Sequence, residues 1–416
     1  MRLVESSRIY LQAHETAWGM FRDACGFVRT VYKVRYFKLA LAGTFICICV
    51  AFLVIGNRKA PINLTFDTGK WQTRATACYE LNAVEVSGCV IDLVSVISES
   101  GDIGAGVAVL QQSITRSQDI VGKCHNASHT IGRAAVRRGA QLEKVYAIPF
   151  SDCRFGLYHG ALEEYVVDMN RSELLARMPE LCSYFGDASS YATQECVHVL
   201  GHFVFNRSND NIKLAVNDCD IFKQDQLKSR CVDGTLMQAT DVVRDSVETK
   251  ADLVRREKIW GGTREEQRET ITNICESITI DTVKYVCYTN APQTLSVLWD
   301  AAYPSIHAFC DDASIKEACY QGIAASGFTV YSWDVEKISK ACYAGTQAGA
   351  SACIDSMAFS YAIVSGARAS ADMCAHVLPA DKAICEQGRD RGLANASTIA
   401  QNQADAREDY AIFENS

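Results

Sequence analysis

Proline is scarce in this chain, with six in 416 residues. So few breaks suit long helices better than a turn-rich β-sandwich. Several catalytic signatures are missing as well. There is no phosphate-binding Walker A loop, no dinucleotide-binding glycine fingerprint, no Gly-x-Ser-x-Gly and no His-Glu-x-x-His. No Cys-x-x-Cys occurs, which argues against thiol–disulfide exchange, and the absence of Cys-x-x-Cys-His argues against covalently attached c-type haem. Positive charge is under-represented beyond residue 60. That part carries 32 Lys/Arg against 46 Asp/Glu, a formal net charge of −14. Such a surface repels nucleic acid, so no nucleic-acid partner is expected.

Hydrophobic residues make up 48% of the chain, enough for a sizeable core. One stretch is uniformly apolar, Leu39 to Gly56, with no charge in 18 residues. As a helix it would be roughly 27 Å long, close to the hydrocarbon thickness of a bilayer. A cleaved signal peptide fits less well, because the run follows 38 residues and Asn57-Arg58-Lys59 offers no small-residue cleavage site. The expectation is a single-pass signal-anchor. Arg29, Lys33, Arg35 and Lys38 outnumber Arg58 and Lys59 across it, which puts the N-terminus on the cytoplasmic side. The expected organisation is a cytoplasmic basic tail (1–38), a transmembrane helix (39–56), a juxtamembrane linker (57–77), a disulfide-rich helical ectodomain (78–394) with a charged insertion (242–273), and a polar C-terminal tail (395–416). The ectodomain would be periplasmic or lumenal.

The cysteines point to the same compartment. Three of the 19 lie in or before the apolar run, and the other 16, an even number, follow it. That partition is expected in an oxidising environment. Late in the chain, first cysteines recur as Cys310, Cys342 and Cys374, and second cysteines as Cys319, Cys353 and Cys385, about every 32–34 residues. Upstream lie Cys275/Cys287, Cys219/Cys231, Cys182/Cys196 and Cys78/Cys89 at similar separations. Cys124 and Cys153 remain and are expected to pair across a longer loop. An amphipathic segment ends at each first cysteine; Leu174, Met178 and Leu181, at i, i+4, i+7, lead to Cys182. The second cysteine opens another helix, often with glycine three residues on, as at Gly156, Gly234, Gly322 and Gly388. Those glycines would let neighbouring helices approach closely. The fold class expected is all-α, with disulfide-stapled helical hairpins repeating as an α-solenoid. Lys340-Ala341-Cys342 followed by Cys353 resembles the cysteine-rich version of Sel1/TPR-type helical repeats, over about residues 170–390. The resemblance implies the fold alone.

Histidine is unevenly distributed. Five of the eight lie between His125 and His202, in three segments that each begin at a cysteine: Cys124-His-Asn-Ala-Ser-His129, Cys153 to Glu164, and Cys196-Val-His198 to His202. His125/His129, His159/Glu163 and His198/His202 are each spaced i, i+4, which puts both side chains on one helix face. His159 and His202 both sit six residues after their cysteine, so stacked repeats would line one wall with imidazoles. His125, His129, His159, His198 and His202 are therefore the expected metal ligands. Glu163, Glu164 or Glu195 would add a ligand or a general base, with Glu163 and Glu195 the catalytic candidates. Zn, Fe or Cu would suit this donor set, and a non-covalent haem is the other option. His14, His307 and His376 are isolated and expected to be structural.

Two functions follow as expectations. One is a membrane-anchored metal- or haem-binding protein, with metal-dependent oxidoreductase or hydrolase chemistry open to it. The other is a membrane-tethered scaffold or accessory subunit of a membrane complex, with a protein partner on the solenoid surface and structural histidines.

Overall fold

The structure is a computed structural model that describes residues 62–395, apart from 117, 149, 151, 152, 245–249 and 332. The chain divides into two units, Met1–Ala60 and Pro61–Ser416, and the described residues lie in the second. The basic tail, the apolar run 39–56 and residues 396–416 fall outside them. Among the described residues no helix is long and apolar enough to cross a membrane, and all regular structure is helical.

The helices are α1 (Gln72–Tyr79), α2 (Ala83–Ser100), α3 (Ile103–Ile114), α4 (Gln118–Arg137), α5 (Leu142–Tyr146), α6 (Gly156–Val166), α7 (Arg171–Leu181), α8 (Tyr191–Arg207) and α9 (Ile212–Asp218). They continue as α10 (Asp225–Arg244), α11 (Lys250–Trp260), α12 (Arg264–Ser277), α13 (Asp281–Leu298), α14 (Tyr303–Asp312), α15 (Lys316–Tyr331), α16 (Val335–Cys342) and α17 (Gln347–Ser370). Residues 382–395 form α18. The starts are chemically marked. Asn170, Asn211, Asp334 and Thr346 each accept a backbone N–H from the first turn, satisfying one of the donors that a helix N-terminus leaves over. Thr263 and Glu266 form a reciprocal capping box at α12.

All eight expected cysteine pairs are joined: Cys78–Cys89, Cys124–Cys153, Cys182–Cys196, Cys219–Cys231, Cys275–Cys287, Cys310–Cys319, Cys342–Cys353 and Cys374–Cys385. Their Cα–Cα distances of 5.3–5.7 Å are ordinary for the bond. Seven bridges clamp the end of one segment to the helix that follows. The Cys124–Cys153 bridge instead ties α4 to the approach of α6 across the longer loop. Most half-cystines are fully buried and belong to the core. Cys89 and Cys153 are the exceptions, both only half-buried. Cys89 packs against the core from α2.

The place of the second cysteine corrects the sequence expectation. It does not open its helix. Cys89 lies within α2, which starts at Ala83, and Cys231 lies within α10, which starts at Asp225. Cys196, Cys287, Cys319, Cys353 and Cys385 are likewise inside their helices, about one to two turns from the start. The first turns carry the chain back across the preceding helix end before the two Cα atoms can come within bridging distance. Only Cys153 precedes its α-helix, in the short turn before Gly156.

The longer helices pack in chain order: α2 on α4, α4 on α6, α6 on α8, α8 on α10, α10 on α13, α13 on α15 and α15 on α17. One continuous apolar core runs through them. The glycine signal explains how closely they meet. A Cβ at Gly234 would overlap the carbonyl of His198, and one at Gly156 would stand 2.5 Å from the carbonyl of His125. The same overlap recurs between Gly322 and Thr289 on the next pair of layers. Backbones therefore touch at the corners that the disulfides pin.

Two boundaries also differ from expectation. The segment expected to be a linker up to residue 77 is packed from residue 62 onward. Asn63 N–H donates to the Gly101 carbonyl at 2.9 Å, and Trp71 and Ala75 of the α1 region are buried. An indole that reaches the core holds its segment there, which composition alone did not show. The described residues of the charged insertion form the end of α10, all of α11 and most of α12. Trp260 is buried and donates to the Ala239 carbonyl at 3.3 Å, while Arg255 holds Asp210 at 2.7 Å. The insertion does not interrupt the stack: Thr240 and Thr294 still meet at 2.7 Å between α10 and α13.

Candidate metal centre

The site is assembled by four consecutive long helices, α4, α6, α8 and α10. His125 and His129 sit one turn apart on α4, with Nε2 facing Nε2 at 3.0 Å. His159 arrives from α6. Ring nitrogens of these three histidines all lie within 4.8 Å of one another. The rings pack edge to face, with His159 5.3 Å from His125 and 5.6 Å from His129 between centroids. Glycine makes this approach possible: a Cβ at Gly160 would stand 2.6 Å from the Cα of His129.

The other nitrogen of each α4 ring is held by an oxygen. His125 Nδ1 is 2.9 Å from the Cys153 carbonyl, and His129 Nδ1 is 3.1 Å from Glu163 Oε2. Cys153 and Phe155 have positive φ (57° and 59°), an unfavourable conformation for non-glycine residues. The strain is held beside the Cys124 bridge, where it presents the Cys153 carbonyl to the imidazole. These acceptors face Nδ1, which favours a proton there and leaves the Nε2 atoms turned toward each other.

One turn of the stack further on, α8 repeats the arrangement. His198 and His202 face each other through Nε2 at 3.1 Å. Their Nδ1 atoms are held from α10, by Asp233 Oδ2 at 2.9 Å and by Gln238 Oε1 at 2.9 Å. Asp233 is in turn gripped by Arg230 at 2.7 Å and by the Asn290 amide at 2.9 Å.

Burial and neighbouring charge set the ionisation. Burial pushes His159 well below the usual imidazole range, and the imidazoles of His129 and His125 push it the same way. Burial likewise brings His202 down to about 3, with His198 adding to the effect. Both are therefore neutral at physiological pH, the form that binds metals. Burial would raise the Glu163 carboxyl, but the hydrogen bond and charge of His129 and the Arg133 guanidinium outweigh it, so Glu163 is a carboxylate. Asp233 is held down in the same way by His198, Arg230 and Asn290 against its burial. On the core side an aromatic group formed by Tyr146, Phe155, Tyr158 and Phe185 surrounds a cavity of about 10 Å³ beside His159. His159 Nε2 is buried and has no hydrogen-bond partner.

The five expected histidines fall into one trio and one pair, both on the same run of helices. The expected equivalence of His159 and His202 holds only by register, since His159 joins the preceding pair on α4. Glu163 reaches the site, where it orients His129. Glu164 instead pairs with Arg137, and Glu195 pairs with Arg230. His307 is buried and donates from Nε2 to the Ala341 carbonyl at 3.0 Å, a structural tie. Asp233, Arg133 and Asn290 were not singled out in the sequence. For Asp233 a signal existed: it lies two residues after Cys231, as His198 lies two after Cys196.

Comparison with known protein families, curated proteins and solved structures finds no match to this chain.

Proposed function

We propose that this protein binds a divalent transition-metal ion through His125, His129 and His159, on an α-solenoid of disulfide-stapled helical hairpins. The observation that carries the reading is the division of labour on each α4 ring: Nδ1 is taken by an oxygen acceptor, and Nε2 is turned toward its neighbour at 3.0 Å. Metal-ligating histidines are typically fixed in this way through their second nitrogen. An ion about 2.0–2.1 Å from each nitrogen fits that spacing with an N–metal–N angle of roughly 95°. The unpartnered, fully buried His159 Nε2 supports a site built around neutral imidazoles.

The spacing favours an ion over haem. Two imidazoles on opposite faces of a haem iron stand about 4 Å apart, with the macrocycle between them. Neither pair here has that room. Three nitrogen ligands leave a coordination position for water or O₂, as in hydrolytic and oxidative metal centres. The side chain of His129 is 14% exposed, so such a position is within reach of solvent. The apolar run 39–56 and the even set of 16 cysteines support a membrane tether with the helical domain on the exoplasmic side.

A scaffold role has one observation in its favour: Leu253 and Val254 of α11 are exposed on the flank of the stack, at 45% and 57%. Metal content separates the two readings. Full-length protein purified in detergent without chelator should carry at least one equivalent of Zn, Fe or Cu by mass spectrometry. His125→Ala with His129→Ala should lower the metal content by one equivalent while helical content is unchanged. Wild-type protein free of metal and unable to take up Zn²⁺ or Co²⁺ would refute the metal centre.

A further inference from the structure

The pair on α8 poses its own physical problem. Asp233 holds His198 Nδ1 and Gln238 Oε1 lies on His202 Nδ1, so the two Nε2 atoms face each other at 3.1 Å. With both rings protonated at Nδ1, two lone pairs meet at that distance and repel unless a cation stands between them. A shared proton or a metal ion would serve. Both rings are anchored at Nδ1, as metal-ligating imidazoles typically are. Asp233 is a built anchor rather than a passing contact, fixed at once by Arg230 and Asn290 from two helices. The second anchor, Gln238, adds orientation without charge, as a ligand-orienting group should. The same geometry stands two layers back, on α4, in the pair that meets His159. His198 is 12% exposed, so water can complete a coordination sphere there.

We propose that His198 and His202 bind a second divalent transition-metal ion through their Nε2 atoms, so that the centre holds two metals on adjacent layers of the stack. Asp233 and Gln238 are positioning residues that fix the ring tautomers. Glu163 belongs to the first site, where it bonds His129. Water or an oxygen-donor ligand fills the remaining positions of the second ion. This inference rests on the metal-centre reading of the first three histidines.

The test is stoichiometry. The full-length chain in detergent is titrated with Zn²⁺ by calorimetry and with Co²⁺ by visible absorption. Wild type should take two equivalents. His198→Ala with His202→Ala should take one, and so should His125→Ala with His129→Ala. If the double variants misfold, Asp233→Asn keeps both α8 rings and should weaken only one of the two binding steps, by about 10–100-fold. One equivalent in wild type, unchanged in the His198/His202 variant, overturns the second site and assigns the pair a shared proton. Two equivalents retained in that variant also overturn it. Zero equivalents in wild type overturns the first centre as well.

Discussion

At the scale of single residues, the site is decided by what holds each ring's second nitrogen. Glu163 shows the point. Its carboxylate accepts from His129 and is itself held by Arg133 at 2.5 Å. It therefore works as an orienting group, whereas spacing alone suggested a ligand or a base. Replacing Glu163 by Gln keeps a hydrogen-bond acceptor but removes the negative charge that supports the imidazole. Metal affinity of the α4/α6 site should fall about 10–100-fold with the fold intact, as read by competition with a chromophoric chelator. Unchanged affinity would show that Glu163 has no hold on the centre. Glu195, equally plausible from sequence, is spoken for by Arg230, and no spacing rule could show that a residue 35 positions away would claim it.

At the scale of elements, helix contact depends on missing side chains. Gly234 sits three residues after Cys231, and a Cβ there would collide with the His198 carbonyl and stand 3.1 Å from His202 Cδ2. A backbone carbonyl cannot rotate aside as a side chain can, so α8 and α10 would have to separate. Gly234→Ala should cost about 1–3 kcal/mol in denaturant unfolding, the range for overpacking a tight core. It should also move Asp233 and Gln238 away from the α8 histidines. Gly139, where a Cβ would meet nothing, is a poor comparison because its φ is +97°; Gly88, with open space and no such backbone constraint, is the proper control and should tolerate Ala. The motif was visible in sequence as cysteine followed by glycine at a fixed offset. Which carbonyl each glycine meets was not, because that depends on the axial offset between helices from different hairpins.

At the scale of the whole molecule, eight bridges among the described residues and serial packing make stability a sum over neighbours. Each layer touches mainly the one before and the one after, as in helical repeat proteins. Every bridge closes a loop of 9 to 29 residues, and each is expected to contribute about 2–4 kcal/mol by restricting the unfolded chain. Reduction should therefore unfold the domain at temperatures where the oxidised form is fully helical, which circular dichroism with and without dithiothreitol would read. The Cys78–Cys89 bridge, with its half-buried Cys89, should be reduced before the fully buried ones, as read by stepwise alkylation and peptide mapping. A reduced protein with the same melting temperature would mean that the apolar core alone sustains the stack.

By itself, the sequence determined the helical class, all eight cysteine partners, the corner glycines and the five histidines that group on neighbouring helices. These are local properties, set by periodicity, by cysteines close enough along the chain to meet, and by residues one helical turn apart. Only the tertiary structure decided that the second cysteines sit inside their helices, that His159 joins the α4 pair, that Asp233 and Gln238 hold the α8 pair, that Trp260 ties α11 to α10, and that Trp71 draws the supposed linker into the core. Each of those depends on how helices from different hairpins are offset and turned against one another, and that is fixed by the packing of the whole core.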